Sequence, residues 1–216
     1  MLWGEVISRP ELDAQGEIVG YHGITREITQ RKLLEEQVHQ LAFFDPLTRL
    51  ANRRLLDDRL SQALAAGRRS ACFGALLFLD LDNFKPLNDE HGHAVGDLLL
   101  QEVASRLSAC VRQVDTVARF GGDEFVVLLA ELSADLAQST QQATALAEKM
   151  RHKLAEPYVL TPMVTHHCSA SIGLAVFSGQ SVAHEVLKAA DTAMYLAKEA
   201  GRNIVRYEGS GLVPLP

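Results

Sequence analysis

The stretch CFGALLFLDLDNF, residues 72–84, is an almost unbroken apolar run whose end changes character. Such a run is typical of a central strand that is covered on both faces. By the two-residue period of a strand, Phe78, Asp80 and Asp82 share one face, while the leucines between them share the other. Carboxylates therefore stand where a buried strand leaves the core.

A second acidic point lies in VARFGGDEFVVLL, residues 117–129, where apolar residues flank a turn on both sides. The turn carries two adjacent carboxylates, Asp123 and Glu124. Gly121 and Gly122 before them remove side chains where a bulky anion must approach the backbone. Taken alone, the hairpin fits a solvated acidic turn equally well, because acidic residues are common in turns.

The elements outside these stretches complete an ordered series of helices and strands. Asp45 before Pro46, and then Asn52, suit helix starts, and Gly67 suits a helix end. The core order β-α-β-β-α-β is the ferredoxin-like pattern, so we expect an α+β fold with a five-stranded, mainly antiparallel sheet flanked by helices. The further elements are a turn at 91–97 (HGHAVGD), helices at 97–112, 134–154 and 182–200, and strands at 166–177 and 203–208.

In such a sheet the first strand and the hairpin are neighbours, so we expect Asp80 close to Asp123 and Glu124. Carboxylates that are packed together repel and raise one another's pKa unless a cation neutralises them. Hard oxygen ligands in small number suit Mg²⁺ or Mn²⁺ and leave room for water and phosphate oxygens. The acidic residues therefore favour a site that binds a metal ion together with a phosphate.

The first 44 residues form a separate pattern. Two short strands are predicted within residues 2–25, and because two strands alone are marginal in water, they are typical of the tail of something larger. Residues 27–44 predict a charged helix in which Leu34, Val38 and Leu41 follow coiled-coil spacing. A helix lying on its own domain fits the same spacing.

Composition excludes several classes of protein. The net charge of −6 over 216 residues argues against a partner that is a nucleic-acid polymer or a membrane surface. No apolar run approaches the ~20 residues that span a bilayer, and the start does not resemble a secretion signal, so we expect a cytoplasmic protein. The three cysteines are far apart, and HHC at 166–168 lacks a fourth ligand nearby, which favours packed residues over a zinc site.

Five motifs, in this order, resemble the GGDEF family of diguanylate cyclases over about residues 42–208. The resemblance implies a fold related to class III nucleotide cyclase domains. It also implies a reaction in which two GTP condense to cyclic di-GMP and two pyrophosphates, with one GTP on each domain of a homodimer. The motifs are DPLTRLANR (45–53), FLDLDNFKPLND (78–89), HGHAVGD (91–97), RFGGDEF (119–125) and AMYLAKEAGRN (193–203).

The resemblance implies a catalytic and metal-binding set. Asp80, Asp123 and Glu124 would be catalytic, and together with the Leu81 carbonyl they would hold Mg²⁺ or Mn²⁺. Asp123 is the candidate to accept the 3′-hydroxyl proton. A role as metal ligand alone is the alternative, because a carboxylate bound to a cation is a weak base.

Substrate-binding roles are implied in the same way. An amide and a carboxylate, Asn88 and Asp97, would pair with guanine, and three basic residues would meet the triphosphate. For each basic residue taken alone, a solvated surface charge is the alternative. The full substrate set is Phe84, Lys85, Asn88, His93, Asp97, Gly121, Gly122, Lys198 and Arg202.

Residues 112–115, RQVD, spell RxxD, and five residues separate them from Gly121. They resemble the family's inhibitory site, at which the product cyclic di-GMP binds and holds the domains apart. Arg112 would present a planar fork to a phosphate or a guanine edge, with Asp115 beside it. An Arg–Asp bond that closes a helix–strand turn is the alternative.

The resemblance also divides the chain. Residues 1–26 resemble the last two strands of a PAS sensor domain, and 27–44 resemble the linker helix that transmits the sensor state. The cyclase domain would then span 45–208, with a tail or linker at 209–216. A full-length protein would carry the upstream sensor and, in some members, a downstream phosphodiesterase domain.

An active diguanylate cyclase is the favoured function because every motif position is intact. The alternative is a non-catalytic module that binds GTP or cyclic di-GMP and regulates a larger PAS-GGDEF protein with or without a phosphodiesterase. A GTPase-type switch is disfavoured because the sequence has no GxxxxGK[ST] phosphate loop.

Overall fold

A computed structural model describes residues 2–207, which divide into two compact units. In the first unit, β1 (Gly4–Leu12) and β2 (Ile18–Glu27) pair as an antiparallel hairpin that is followed by α1 (Thr29–Phe43). The Trp3 N–H donates to the Thr29 hydroxyl oxygen over 2.9 Å. Nearly every residue of the hairpin is exposed, including its apolar side chains.

The second unit begins at Phe43 and is an α+β domain. Its elements are α2 (Arg53–Ser70), β3 (Gly74–Asp82), α3 (Phe84–His91), α4 (His93–Ser108), β4 (Thr116–Gly121), β5 (Glu124–Leu129), α5 (Leu136–Leu154), β6 (Tyr158–Thr161), β7 (Val164–His166), β8 (Ser169–Phe177), α6 (Ala183–Glu199) and β9 (Val205–Tyr207).

The main sheet has the strand order β4-β5-β3-β8-β9, and its neighbours are antiparallel except for β8 and β9. The predicted ferredoxin-like α+β fold with a five-stranded, mainly antiparallel sheet is confirmed. The sheet divides the core into two layers: Leu77, Leu79 and Leu81 pack toward α4 and α5, while Leu76 and Phe78 pack toward α2 and α6. The face alternation predicted for the central strand is therefore correct.

Two predicted helix boundaries are wrong for different reasons. Residues 46–48 after Asp45 form a single turn rather than a helix, and the Asp45 carboxylate accepts from the Thr48 N–H and hydroxyl at 2.8 and 2.7 Å. Helix α2 continues past Gly67 to Ser70. A Cβ at Gly67 would lie 3.2 Å from the Gly179 nitrogen, so this glycine permits close packing and does not end the helix.

The region around HGHAVGD also differs from the prediction. The turn is confined to Gly92, whose φ of 80° lies in the left-handed region, and α4 already begins at His93. Helix α3 and the small β6–β7 hairpin were not predicted, since short elements carry too few residues to show a period. Among the described residues, no helix has the length and apolar content of a membrane span.

Candidate active site

The end of β3 lies beside the tip of the β4–β5 hairpin. Asp80 is directly opposite Glu124 in the β3–β5 register, and the Leu81 N–H donates to the Asp123 carbonyl oxygen over 3.3 Å. The expected adjacency of strand and hairpin is confirmed. The antiparallel pairing thus brings three carboxylates, distant in sequence, to one end of the sheet.

These carboxylates are only partly neutralised by protein. Burial raises the pKa of Asp80, and Asp123 raises it further, while the Lys198 ammonium, 2.7 Å from Asp80 Oδ2, opposes the shift. The pKa of Glu124 is raised by burial first and then by Asp80 and Asp123. The pKa directions indicate an acidic cluster that has more negative charge than the one lysine offsets.

The donor atoms at this end of the sheet are hard oxygens, the type of ligand that Mg²⁺ and Mn²⁺ prefer. Among the described residues, no three His, Cys, Asp or Glu side chains are gathered into a metal site on their own. A backbone oxygen lies on the same side, because the N–H and C=O of one residue in an antiparallel ladder point the same way, so the Leu81 carbonyl faces the hairpin as its N–H does. Carboxylate and carbonyl oxygens of this kind fit Mg²⁺ or Mn²⁺.

A cavity of about 260 Å³ lies against this acidic end of the sheet. Acidic and basic residues both line it, and Lys198 is ion-paired with Asp80 there, so it offers groups for a cation and for a phosphate chain. The residues that line it include Asp80, Leu81, Phe84, Lys85, Asp123, Lys198 and Arg202.

Helices α3 and α4 pack together with one buried polar atom left without a partner. The Asn88 Oδ1 atom is buried and has no hydrogen-bond partner among the described residues. Gly96 packs against the Asn88 side chain and the Phe84 ring so closely that a Cβ there would collide with Asn88 Oδ1. His93 at the start of α4 and Asp97 one turn later are both exposed. Gly96 was not predicted as a site residue, although its place in HGHAVGD was a usable signal.

Arg119 holds the glycine turn and was missed as a site residue. Its Nε and Nη2 atoms donate to the Gly122 carbonyl at 2.9 and 2.7 Å, and its Nη1 donates to Asp45 Oδ1 at 3.2 Å. Gly121 and Gly122 have open space where a Cβ would stand, and Gly122 has a φ of 49°. The arginine thus fixes the turn that precedes the two catalytic candidates.

The RxxD segment forms a turn next to another cavity. The Arg112 N–H donates to Asp115 Oδ2 over 2.9 Å, and the Ala130 N–H donates to Asp115 Oδ1 over 3.3 Å. No hydrogen bond or ion pair joins the Arg112 guanidinium to another described residue. A cavity of about 360 Å³ is lined by both residues, by Lys149 and by Gln142, whose Oε1 is buried without a described partner.

A family model described as diguanylate cyclase, GGDEF domain, matches residues 42–204. The chain belongs to the GGDEF family. This GGDEF chain is 48% identical over 165 residues to the bifunctional diguanylate cyclase/cyclic di-GMP phosphodiesterase MucR of Pseudomonas aeruginosa, with 76% of the chain and 23% of MucR covered. It is 41% identical over 172 residues to the diguanylate cyclase DgcP of the same organism, covering 79% and 24% of the two chains.

The structures of GGDEF proteins show the same fold. The coiled coil and GGDEF domain of Caulobacter crescentus DgcB, in complex with c-di-GMP, matches with a TM-score of 0.74 and 29% identity. That match covers 83% of this chain and 93% of DgcB as solved. The chain spans about a quarter of the length of the curated relatives it matches.

Proposed function

We propose that this GGDEF chain is an active diguanylate cyclase that condenses two GTP into cyclic di-GMP and releases two pyrophosphates. The observation that carries the proposal is the acidic end of β3 and β5 facing a cavity with basic residues. Asp80 and Glu124 oppose each other there, and Lys198 and Arg202 line the same space. The acidic pair suits the metal ion of a bound nucleoside triphosphate, and the basic pair suits its phosphates.

Guanine recognition is assigned to polar groups that α3 and α4 bring together. The unpartnered Asn88 Oδ1 is an acceptor available for the N–H groups on the guanine edge. Asp97 adds a carboxylate acceptor, and His93 lies one turn before it on the same helix face. Adenine does not offer the same arrangement of donors, so these groups favour GTP.

The triphosphate is assigned to Lys85, Lys198 and Arg202. Lys198 already forms an ion pair with Asp80, and both residues line the cavity. Arg202 can contact a phosphate through two parallel N–H donors. These groups bind and orient the chain of phosphates beside the carboxylates.

The metal ligands are assigned to Asp80, the Leu81 carbonyl, Asp123 and Glu124, with Mg²⁺ or Mn²⁺ as the cofactor. A bound divalent ion would supply Lewis-acid polarisation of a phosphate oxygen and lower the pKa of the attacking hydroxyl. Asp123 lies at the hairpin tip and lines the cavity, where it is the proposed acceptor of the 3′-hydroxyl proton. Arg119 holds the turn that places Asp123 there.

Two domains are needed because each 3′-hydroxyl attacks the α-phosphate of the other GTP. The seam of α1 supports a parallel homodimer: Leu34, Val38 and Leu41 are 55%, 65% and 72% exposed. Joined helices would hold two domains at an effective concentration of roughly millimolar. We assign residues 27–44 as this linker helix.

Residues 1–26 are assigned as the end of a PAS sensor domain. Their two strands expose apolar side chains such as Val6, Ile7 and Ile24, which suits a hairpin that belongs to a larger sheet. The cyclase domain is assigned to 45–208, and the tail assigned to 209–216 lies outside the described residues. GTP as substrate favours a cytoplasmic location, and the bifunctional MucR suggests a downstream phosphodiesterase.

Incubation of the chain with GTP and Mg²⁺, followed by detection of cyclic di-GMP, tests the proposal. We expect product whose rate rises with enzyme concentration. Nucleotide binding without product at high protein concentration would favour the second candidate, a regulatory GTP- or cyclic di-GMP-binding module. That candidate is kept because the chain covers only 23% of the bifunctional MucR.

Product inhibition is assigned to Arg112 and Asp115, with Lys149 beside them. The Arg112 guanidinium has no ion pair among the described residues, whereas Asp115 also closes the local turn. Arg112→Ala is therefore expected to weaken inhibition by cyclic di-GMP about tenfold or more, because the variant loses a pair of charge-assisted hydrogen bonds to the ligand. Inhibition curves measured at fixed GTP check this, and curves identical to wild type would reduce the segment to a structural turn.

A further inference from the structure

Asp82 is a buried carboxylate next to the acidic site that the proposed reaction does not use. It is 3% exposed at the end of β3, two residues after Asp80. A buried carboxylate is stable only when its oxygens are hydrogen-bonded. Its partners therefore show what the side chain stabilises.

Three donors meet the Asp82 carboxylate. The Ser171 hydroxyl donates to Oδ1 over 2.7 Å, and the Ser169 hydroxyl donates to Oδ2 over 2.6 Å. The Asn203 N–H also donates to Oδ2, over 3.1 Å and across 121 residues of sequence. Ser169 and Ser171 lie on β8, which is already paired with β3 through the backbone. The bond to Asn203 is the one that connects β3 to a segment outside the β3–β8 ladder.

The segment it holds is the turn after α6, residues 201–203. Gly201 and Arg202 close the helix, since their N–H groups donate to the carbonyls of Lys198 and Ala197. Arg202 and Asn203 then have φ values of 65° and 48°. The left-handed region is sterically unfavourable for residues other than glycine, and less so for asparagine than for arginine, so Arg202 in particular stays there because neighbouring groups hold the turn.

A second group holds the same turn from α5. Arg151 Nη1 donates to the Asn203 carbonyl at 3.3 Å and to Asn203 Oδ1 at 3.0 Å. Asp82 and Arg151 thus fix the backbone N–H, the carbonyl and the side chain of one residue. Arg202 directly precedes it, and Lys198 lies one helical turn earlier.

We propose that Asp82 is a positioning residue for phosphate binding: it holds the 201–203 turn in the left-handed form that directs Arg202 into the cavity beside Asp80. The inference rests on the proposed function, because the phosphate is that of the nucleotide. Asp82 also lines this cavity, but both of its carboxylate oxygens are already engaged by protein donors, so a direct contact with the substrate is not part of the proposed role. Asp82 acts through Asn203, and its loss lets Arg202 leave the cavity.

The test compares Asp82→Asn with Arg202→Ala and with the double variant. Asparagine keeps the side-chain size but replaces one acceptor oxygen with a donor, so it cannot accept all three hydrogen bonds. We expect the KM for GTP to rise about tenfold with kcat changed by less than about threefold, the effect of misplacing one phosphate-binding arginine. In the Arg202→Ala background, Asp82→Asn should have little further effect on KM.

A readout that needs no turnover accompanies the kinetics. Calorimetric binding of 3′-deoxy-GTP with Mg²⁺, which lacks the attacking hydroxyl, should show the same non-additive loss of about tenfold in affinity. Ser139→Ala is the matched control, because Ser139 is also fully buried and hydrogen-bonded but lies on α5, bonded to Ser133. It should lower the unfolding temperature without changing KM or affinity.

The outcomes separate this inference from the proposed function. The positioning role is overturned if Asp82→Asn and Arg202→Ala lower the affinity for 3′-deoxy-GTP additively. It is also overturned if Asp82→Asn alone leaves that affinity unchanged. If the wild-type chain binds 3′-deoxy-GTP but forms no product from GTP, the proposed function fails, while the binding cycle still decides the role of Asp82. If Asp82→Asn does not fold, the double variant Ser169→Ala and Ser171→Ala is the second test, because it removes two donors to Asp82 and leaves the Asn203 bond. We expect it to bind 3′-deoxy-GTP like the wild type, and a loss of that affinity would contradict the inference.

Discussion

At the scale of single residues, the three carboxylates near the hairpin tip have different surroundings. Asp80 is 7% exposed and bonded to Lys198, whereas Asp123 lies in the turn and lines the cavity. Glu124 faces Asp80 across the strand pair. Substitution of the buried, ion-paired Asp80 should affect the stability of the fold. Substitution of Asp123 in the turn should mainly affect the rate of the reaction.

Asp123→Ala is expected to lower the rate of cyclic di-GMP formation by at least about 10²-fold, the usual contribution of a positioned acid or base. The unfolding temperature should change little, since Asp123 is a turn residue at the edge of the sheet. Product formation and thermal unfolding, measured on the same preparation, check both parts. Retained turnover would contradict the assignment of Asp123 as proton acceptor and as an essential metal ligand.

Glu124→Gln tests the electrostatics of the site. Burial, and then Asp80 and Asp123, raise the pKa of Glu124 above its ordinary value of 4.5, so the folded state holds this proton more tightly than the unfolded chain. The stabilisation is present below pH 4.5 and is lost as the pH rises through the raised folded value. The permanently neutral glutamine should therefore raise the unfolding temperature at pH 7 without divalent cation, by on the order of 2 °C.

Thermal unfolding from pH 4 to 7, with and without Mg²⁺, measures this effect. The wild type should gain more stability from Mg²⁺ than the variant, because a ligand that binds only the folded state stabilises it. A variant that is less stable than wild type at pH 7 in the absence of metal would show that Glu124 is stabilised as an anion.

At the scale of elements, Arg119 joins the turn before α2 to the hairpin tip. Burial alone would raise the pKa of Asp45, but hydrogen bonds from Thr48 and the charge of Arg119 lower it overall, so the ion pair is well formed. The Arg119 and Asp45 side chains are only 15% and 18% exposed. One planar guanidinium thereby holds the Gly122 carbonyl and an element 74 residues earlier.

Arg119→Lys is expected to reduce kcat about tenfold while lowering the free energy of unfolding by about 1 kcal/mol. A lysine keeps the charge but cannot donate to Gly122 and Asp45 in one fixed fork. Steady-state kinetics and denaturant unfolding check the prediction, with the exposed Arg69→Lys as control. Equal kcat in the two variants would mean that the turn keeps its shape without the arginine hydrogen bonds to Gly122 and Asp45.

At the scale of the whole molecule, the proposed reaction needs a second copy of the chain, which we propose that the α1 seam recruits. Replacing Leu34 and Val38 together with asparagine should lower the specific activity at nanomolar protein about tenfold, and high protein concentration should restore it. Activity and mass in solution, measured across a concentration series, check this. The control makes the same replacement at Leu33 and Gln37, which are also exposed on α1. An equal loss of specific activity in the control would mean that α1 acts by something other than pairing through the seam.

The sequence by itself determined the central strand, its two faces, the acidic hairpin beside it and the start of α2 at Asn52. Those features arise from local rules, since an apolar run, a two-residue period and a capping side chain each act over a few positions. The family resemblance rested on the same motifs, and the family-model match to residues 42–204 confirms it.

Only the tertiary structure decided which distant groups meet. The Asp82–Asn203 bond crosses 121 residues and the Arg119–Asp45 pair crosses 74, so neither has a local signature. The contact of Gly96 with Asn88, likewise, depends on how α3 folds back onto α4. Such contacts follow from strand register and helix packing, which place side chains in space only after the whole sheet has formed.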